Sequence, residues 1–383
     1  MRDERRDLPA RELQLRLALL RLHAGNPRPL RRVLAQLSSL SEAVMEMSRQ
    51  TSEVRVLLAP LCAPNLLGGT LGPLDERFLG LDDGVVLPHD DERFPALLAE
   101  ISEPPPLLFC RGDIAALLPP QIAIVGSRNA SPAGLATARA FAADLAAAGF
   151  VITSGMALGI DAMAHEGALA AGGRTVAVLG CGADQIYPRR HARLAADIRA
   201  QGCIVSEFLP GTPPLAPHFP LRNRIISGLS LGVLVVEAAP DSGSLITARF
   251  AAEQGREVFA IPGSIHSPLA RGCHQLIREG ATLIETSAQL VDALSHFAIL
   301  RTDREATAHG SAGSAVALSP DEQRVMSMLS AAGNGIDELV LRSGMPAATV
   351  GALLTGLALR GQVHSLAGGM WQPASTATAE TRC

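Results

Sequence analysis

The chain has 383 residues, of which 48% are hydrophobic and 18% charged, and 33 basic against 37 acidic side chains leave a net charge of −4. That is enough apolar material for roughly two or three cored domains, and the balance excludes a uniformly basic nucleic-acid binder while allowing a local basic patch. Every basic residue is Arg, which excludes a Walker A loop and any lysine Schiff base.

The first sixty residues hold 11 Arg against 7 acids, and residues 61–120 hold 3 against 10. Leu13, Leu15, Leu17, Leu20 and Leu22 follow a helical period that resumes, after Gly25-Asn26-Pro27, at Leu30, Val33, Leu34 and Leu37. A small helical domain over 1–70 is expected. Within 75–120, Pro104-Pro105-Pro106 and Pro119-Pro120 frame two short apolar runs, the pattern of a connector with edge strands.

The centre, 75–298 with 75–120 as its N-terminal extension, is different in kind. Apolar runs at Ile122–Val125, Val151–Thr153, Thr175–Leu179, Ile204–Ser206, Gly232–Val236 and Val258–Ile261 have the composition of buried strands. Most are separated by Ala-rich stretches of helical length at 132–148, 159–171, 189–200 and 244–255. This alternation predicts an α/β fold, a Rossmann-like, doubly wound and mostly parallel sheet. Residues 299–317 have linker composition, and 318–372 give helix, helix-turn-helix and hairpin, a winged-helix outline, before a tail at 373–383. The second helix of that pair is poor in positive charge, which predicts feeble duplex binding and a packing or docking role.

No 18-residue apolar run is free of charges or breakers, so no membrane span is expected. The highly charged start is not followed by a signal-type apolar core. Cys62, Cys110, Cys181, Cys203, Cys273 and Cys383 are scattered without a CxxC, which predicts reduced, mostly buried thiols and neither metal nor cofactor. The chain reads as cytoplasmic.

In a doubly wound sheet, ligands sit outside the carboxyl ends of the strands. Gly126-Ser127-Arg128 follows the first strand and precedes a helix, so backbone N–H groups, helix dipole and guanidinium could cradle a phosphate there. A plain turn with an exposed Arg is the alternative. After the second strand, Asp161 and His165 share a helical face and are expected to touch as a structural pair. Gly180-Cys181-Gly182 invites a dinucleotide reading, but Gln185 stands where its third glycine should be. Tyr187, the chain's single Tyr, ends that loop.

Further on, Phe219, Arg222, Asn223 and Arg224 form a cluster suited to single-stranded nucleic acid: Arg for the backbone, Phe for stacking, Asn for a base edge. The alternative makes Phe219 a hydrophobic plug and the Arg side chains solvated helix charge. Ser242-Gly243-Ser244 opens a second helix competent for anions. An enzyme acting on a nucleotide or nucleotide sugar, such as a phosphoribohydrolase, would need a carboxylate beside the ribose, with Asp161, Glu207 and Glu237 as candidates.

The segments GSR, SGMALGID, GCGADQIYP, FPLRNRIISGLS, DSGSLITA and the IPGS–GCHQLI run occur in an order that resembles the DprA/Smf family of DNA-processing proteins. The flanks are similar to the family's helical, SAM-like or helix-hairpin-helix-like domain, of whose glycine motif His23-Ala24-Gly25-Asn26 is left, and to its winged-helix domain. The resemblance implies a non-enzymatic homodimer, paired through the Rossmann-like domain, that binds incoming single-stranded DNA in natural transformation, shields it and loads RecA. It implies that Gly126, Ser127 and Arg128 hold a phosphate, that Phe219, Arg222, Asn223 and Arg224 line the strand's path, and that Ser242, Gly243 and Ser244 close the pocket. Two features depart from relatives: Ala216 and Pro217 stand where a basic residue is frequent, which is expected to lower affinity or shift load onto Arg222, and His274 stands where Asn is common.

Overall fold

The computed structural model describes residues 10–22, 27–34, 73–294, 319–330, 333–359, 362–366 and 370–373, with isolated positions at 40, 50, 51, 56 and 58. His23 to Asn26, the linker 299–317 and all but the first residue of the tail lie outside the described residues. The fold falls into two compact units, Met1–Glu285 and Thr286–Cys383.

The first unit is built on nine strands. In chain order these are β1 (Gly84–Pro88), β2 (Leu107–Gly112), β3 (Gln121–Val125), β4 (Val151–Ser154), β5 (Thr175–Val178), β6 (Cys203–Ser206), β7 (Gly232–Val235), β8 (Glu257–Ala260) and β9 (Thr282–Leu283). They lie side by side as β1-β2-β6-β5-β4-β3-β7-β8-β9. From β6 to β9 every pairing is parallel, while β1 and β2 are antiparallel additions at one edge. Of the two Pro-framed runs expected as edge strands, the first is β2 and the second, Ile114–Leu117, is a 3-10 turn capped by Asp113 instead. All residues of β3, β4, β5, β6 and β7 are buried, as strands covered on both faces must be. The chain proceeds from β3 through β4 and β5 to β6 on one side, then returns to place β7 against the other side of β3. The strand order therefore reverses between β3 and β7, and a crevice opens there.

Helices α1 (Ala10–Leu22), α2 (Pro27–Leu34) and α3 (Pro73–Leu79) precede the sheet. Leu15, Leu17, Leu19, Leu20, Leu30 and Val33 share one buried cluster with Phe78, Val86, Leu107 and Phe109, so these helices are packed on the β1–β2 extension. The opposite charges of the two segments meet: Arg16 bonds Asp90 at 2.7 and 2.8 Å, Arg21 bonds Asp75 at 2.6 Å, and Arg31 lies 3.6 Å from Glu103. Between the strands run α4 (Ala96–Ala99), α5 (Pro132–Ala147), α6 (Ile160–Ala170), α7 (Ala192–Gln201), α8 (His218–Gly228), α9 (Gly243–Glu253) and α10 (Arg271–Arg278). Ser131 caps α5, accepting from the Gly134 amide at 3.0 Å with Pro132 in the first turn. The stretch expected as one helix from 189 begins as a 3-10 turn at Arg189–His191 and becomes α7 at Ala192.

The second unit carries α11 (Pro320–Met328), β10 (Asn334–Gly335), α12 (Ile336–Ser343), α13 (Ala347–Leu359), β11 (Val363–Leu366) and β12 (Met370–Pro373). Ser319 and Glu322 form a reciprocal capping box on α11, and α12 stops at Gly344, whose φ of 69° suits only a residue without Cβ strain. The three short strands pair in the order β10-β12-β11, completing a winged helix around Val325, Leu339, Leu354, Leu357 and the single Trp, Trp371. Arg342, at the end of α12, donates to the Met328 carbonyl at 3.0 Å and lies 3.3 Å from Glu338. Among the described residues, no helix is long and apolar enough to cross a membrane, and Cys110, Cys181, Cys203 and Cys273 are buried free thiols.

Candidate functional site

The crevice between the ends of β3 and β7 is a cleft of about 770 Å³. Gly126, Ser127, Arg128, Phe219, Arg222, Asn223, Ser242, Gly243 and Ser244 all line it; Arg224 does not. A second hollow of about 600 Å³ lies between α9, β8 and α10, and of those ten residues only Ser242 touches it.

Gly126 is required by close approach, since a Cβ there would stand 2.7 Å from the Ile160 side chain and 2.9 Å from the Glu237 carbonyl. The Ser127 amide donates to that carbonyl at 2.7 Å, and Ser127 Oγ accepts from the Asn129 amide at 3.1 Å. The turn is thereby held on its inner side, and Arg128 projects as an exposed side chain. Its guanidinium lies 5.6 Å from the centroid of the Phe219 ring, and that ring lies 5.6 Å from Tyr187. Cation, aromatic and aromatic form one row along the cleft.

Phe219 sits in the first turn of α8, half-buried, with one side against Gly180. A Cβ on Gly180 would come within 3.0 Å of its Cδ1. The Gly180-Cys181-Gly182 loop thus seats an aromatic ring, and the dinucleotide reading has no structural counterpart. Burial holds the Cys181 thiol up at about 11, so it is protonated and unreactive at neutral pH.

Two positions along α8, about half a helical turn, separate the fates of two arginines. Arg222 points inward, only 4% exposed, and donates to the Val178 carbonyl at the end of β5. It passes against Gly155, where any Cβ would overlap its guanidinium. Burial lowers its pKa to about 10, opposed by the neighbouring Asp161 carboxylate, so it stays a cation at the cleft floor. Its Nε is buried without a hydrogen-bond partner among the described residues. Arg224 instead forms a two-pronged pair with Glu207 at 2.6 and 2.7 Å, both side chains 8% exposed. The expected place of Arg224 along a strand's path is corrected by this pairing: its charge is consumed inside the fold.

Asn223 Nδ2 donates to the Gly243 carbonyl at 3.2 Å, linking α8 to the start of α9. Ser242 caps α9, accepting from the Ser244 amide at 3.3 Å, and the two hydroxyls lie 2.7 Å apart. A Cβ on Gly243 would meet nothing within 4 Å, so this helix N-terminus faces open space. The α5 N-terminus is different. Glu237 bonds the Ser131 amide at 2.8 Å and accepts from the Ser131 hydroxyl at 2.6 Å, its carboxylate packed on Gly134. The helix dipole expected to assist Gly126-Ser127-Arg128 already faces this internal anion, and Arg128 supplies the charge at that corner.

The Asp161–His165 contact is also corrected. Asp161 accepts from the Gly155 and Ala157 amides at 3.1 and 3.3 Å, satisfying the turn before α6. Burial raises its pKa, with Arg222 opposing. His165 turns toward β5, its Nδ1 2.7 Å from Thr175 Oγ1, whose own proton goes to the Ile152 carbonyl at 2.6 Å. Nδ1 therefore donates, and burial keeps the ring neutral by lowering its pKa to about 3. Asp161, Glu207 and Glu237, the carboxylates an enzyme reading would need, are each bonded into the scaffold. His274 Nε2 lies 3.0 Å from the Gly263 carbonyl, a loop contact on α10. Tyr187, Asn129 and Asp241 also line the cleft. Of these only Tyr187 carried a signal, as the lone Tyr in a polar loop.

A family model for DNA recombination-mediator protein A matches residues 85–295, and one for the DprA winged helix domain matches 309–369. Protein Smf of Escherichia coli is 44% identical over 292 residues, 74% of this chain and 76% of that protein. DNA processing protein DprA of Streptococcus pneumoniae is 45% identical over 232 residues, 58% of this chain and 80% of that protein. The X-ray structure of the Streptococcus pneumoniae protein superimposes with a TM-score of 0.59 at 36% identity, covering 75% of this chain and 98% of that one. DNA processing protein A of Helicobacter pylori, whose structure concerns its single-stranded DNA binding mode, gives 0.51 at 31% identity over 55% of this chain and 95% of that one.

Proposed function

Because the chain belongs to the DprA/Smf family of DNA recombination mediators, we propose that its switch-point cleft binds single-stranded DNA without catalysing a reaction on it. The observation that carries the reading is the row Arg128–Phe219–Tyr187 facing the open N-terminus of α9 across one cleft. A guanidinium and the positive end of a helix suit phosphates, and aromatic rings lining a cleft suit bases that are not paired in a duplex. The scaffold roles of Asp161, Glu207 and Glu237 favour binding over ribose chemistry. By its motifs the proposal extends to a cytoplasmic homodimer, joined through the Rossmann-like unit, that shields incoming DNA in natural transformation and loads RecA.

The test is a mobility-shift series with single-stranded, duplex and mononucleotide competitors. Single strands should compete far better than the other two; duplex or mononucleotide competing equally would overturn the reading. The cleft's share of the salt dependence, through Arg128 and Arg222, is a log–log slope of about −1.4 at roughly 0.7 per phosphate. Arg128→Ala should weaken binding by about 1.5–3 kcal/mol, ten- to a hundredfold, with unchanged thermal melting.

A further inference from the structure

Tyr187 lines the cleft and is 47% exposed at its rim. The chain then runs through Pro188 into the 3-10 turn Arg189–His191 and on into α7. Arg189, Arg190 and Arg193 are all exposed, and none has an ion pair or side-chain hydrogen bond among the described residues. On α7 the inward face is Leu194, Ala195 and Ile198, which leaves Arg193 on the outer face, three and four residues from Arg190 and Arg189. Only Pro188 separates Arg189 from Tyr187, so their Cα atoms are within about 7.6 Å. His191 turns inward between the arginines, its Nδ1 3.0 Å from the Met156 carbonyl. That bond ties the turn to the loop whose Ala157 lines the cleft. Inside the cleft, positive charge is scarce: Ala216 and Pro217 lie by Phe219, Arg222 is buried at the floor, and Arg224 is paired with Glu207.

We propose that Arg189, Arg190 and Arg193 form a strip for phosphates, continuous with the cleft at Tyr187, over which the backbone of a bound single strand leaves the site. The inference rests on the single-strand reading of the cleft and adds the direction in which the strand runs. Three unpaired guanidiniums on one exposed face match a chain of phosphates spaced along a flexible backbone. Arg suits this contact because its planar fork holds a phosphate oxygen pair while remaining charged.

The experiment compares the full chain with R189A/R190A/R193A and R189K/R190K/R193K, using a thymidine tetranucleotide and an oligothymidylate of about twenty nucleotides, lengths that bracket common single-strand sites of roughly 4–16 nucleotides. The alanine variant should melt as the parent does and bind the tetranucleotide equally. Its affinity for the longer strand should fall about tenfold or more, and its salt slope should become shallower by about 2, at roughly 0.7 per lost contact. The lysine variant, which keeps the charge, should recover most of the slope. Equal affinity and slope for the longer strand in parent and alanine variant would overturn the strip and leave the cleft reading intact. Equal loss on both lengths would overturn it as well, since the arginines would then act within the cleft. A parent chain that binds neither length would instead refute the single-strand reading from which the strip extends.

Discussion

The N-termini of α5 and α9 flank the same switch point, each opened by a serine cap after a strand and turn. They are alike in sequence and opposite in use. At α5 the Glu237 carboxylate occupies the positive end of the helix, and at α9 no carboxylate is bonded to Ser242, Gly243 or Ser244 among the described residues. A fold can spend one anion site on its own cohesion and leave its neighbour for a ligand, and the difference is one side chain reaching across from the end of β7. The same division separates Arg224, held by Glu207, from Arg128, which is exposed beside Phe219.

The largest effect that division implies is in stability. Arg224→Ala should destabilise the first unit by about 3–5 kcal/mol, because Glu207 would be left a buried charge without its partner. Urea unfolding measures this, and single-strand affinity of the folded variant should be unchanged; a selective loss of binding at normal stability would return Arg224 to the site. Glu237→Ala should cost about 1.5–3 kcal/mol by stripping the α5 terminus of its charge-assisted bonds. If that variant unfolded at the parent's urea concentration, the α5 terminus would not be an internally filled site. Phe219→Ala sharpens the comparison from the ligand side. As a stacking platform it should lose about 1–3 kcal/mol of binding with little change in melting. A core plug would instead lose roughly 3–5 kcal/mol of stability with binding intact.

The strands of the first unit are readable because a parallel strand covered on both faces must be a short apolar run, and β3, β5 and β7 are such runs. Helix α8 is harder to see: its first seven residues, His218 to Arg224, include a proline, an asparagine and two arginines and show no apolar stripe. Its place is set by Ile225, Ile226 and Leu229 reaching the sheet core. The residues of the candidate site are legible as a set, since strand ends converge in this topology, but their individual roles are not. Nothing local distinguishes Arg222 from Arg224; Val178 on β5 and Asp161 on α6 decide one, and Glu207, just past β6, the other. Asp161 and His165 have the spacing of partners, yet two unsatisfied loop amides and a threonine on β5 are nearer claims on them. The basic residues after Tyr187 read in the sequence only as the start of a helix, and become informative only when the cleft is seen to end there.

The neutral imidazole of His165 makes the acid limit of this unit depend on a side chain beneath the cleft. In the unfolded chain it takes up a proton near pH 6.5, and in the fold, where Nδ1 donates to Thr175 and burial opposes the charge, only near pH 3. Its folded pKa is the lower one, so the stability it contributes is fully present above about 6.5 and is lost as pH falls toward 3. Across that interval the loss approaches about 1.4 kcal/mol for each pH unit. His165→Leu, though less stable at neutral pH, should therefore show a flatter decline in unfolding free energy between pH 6.5 and 4, with an equally steep decline counting against a neutral ring. Acidification therefore weakens the scaffold beneath the cleft through a proton taken up by a fully buried ring that does not itself line the cleft.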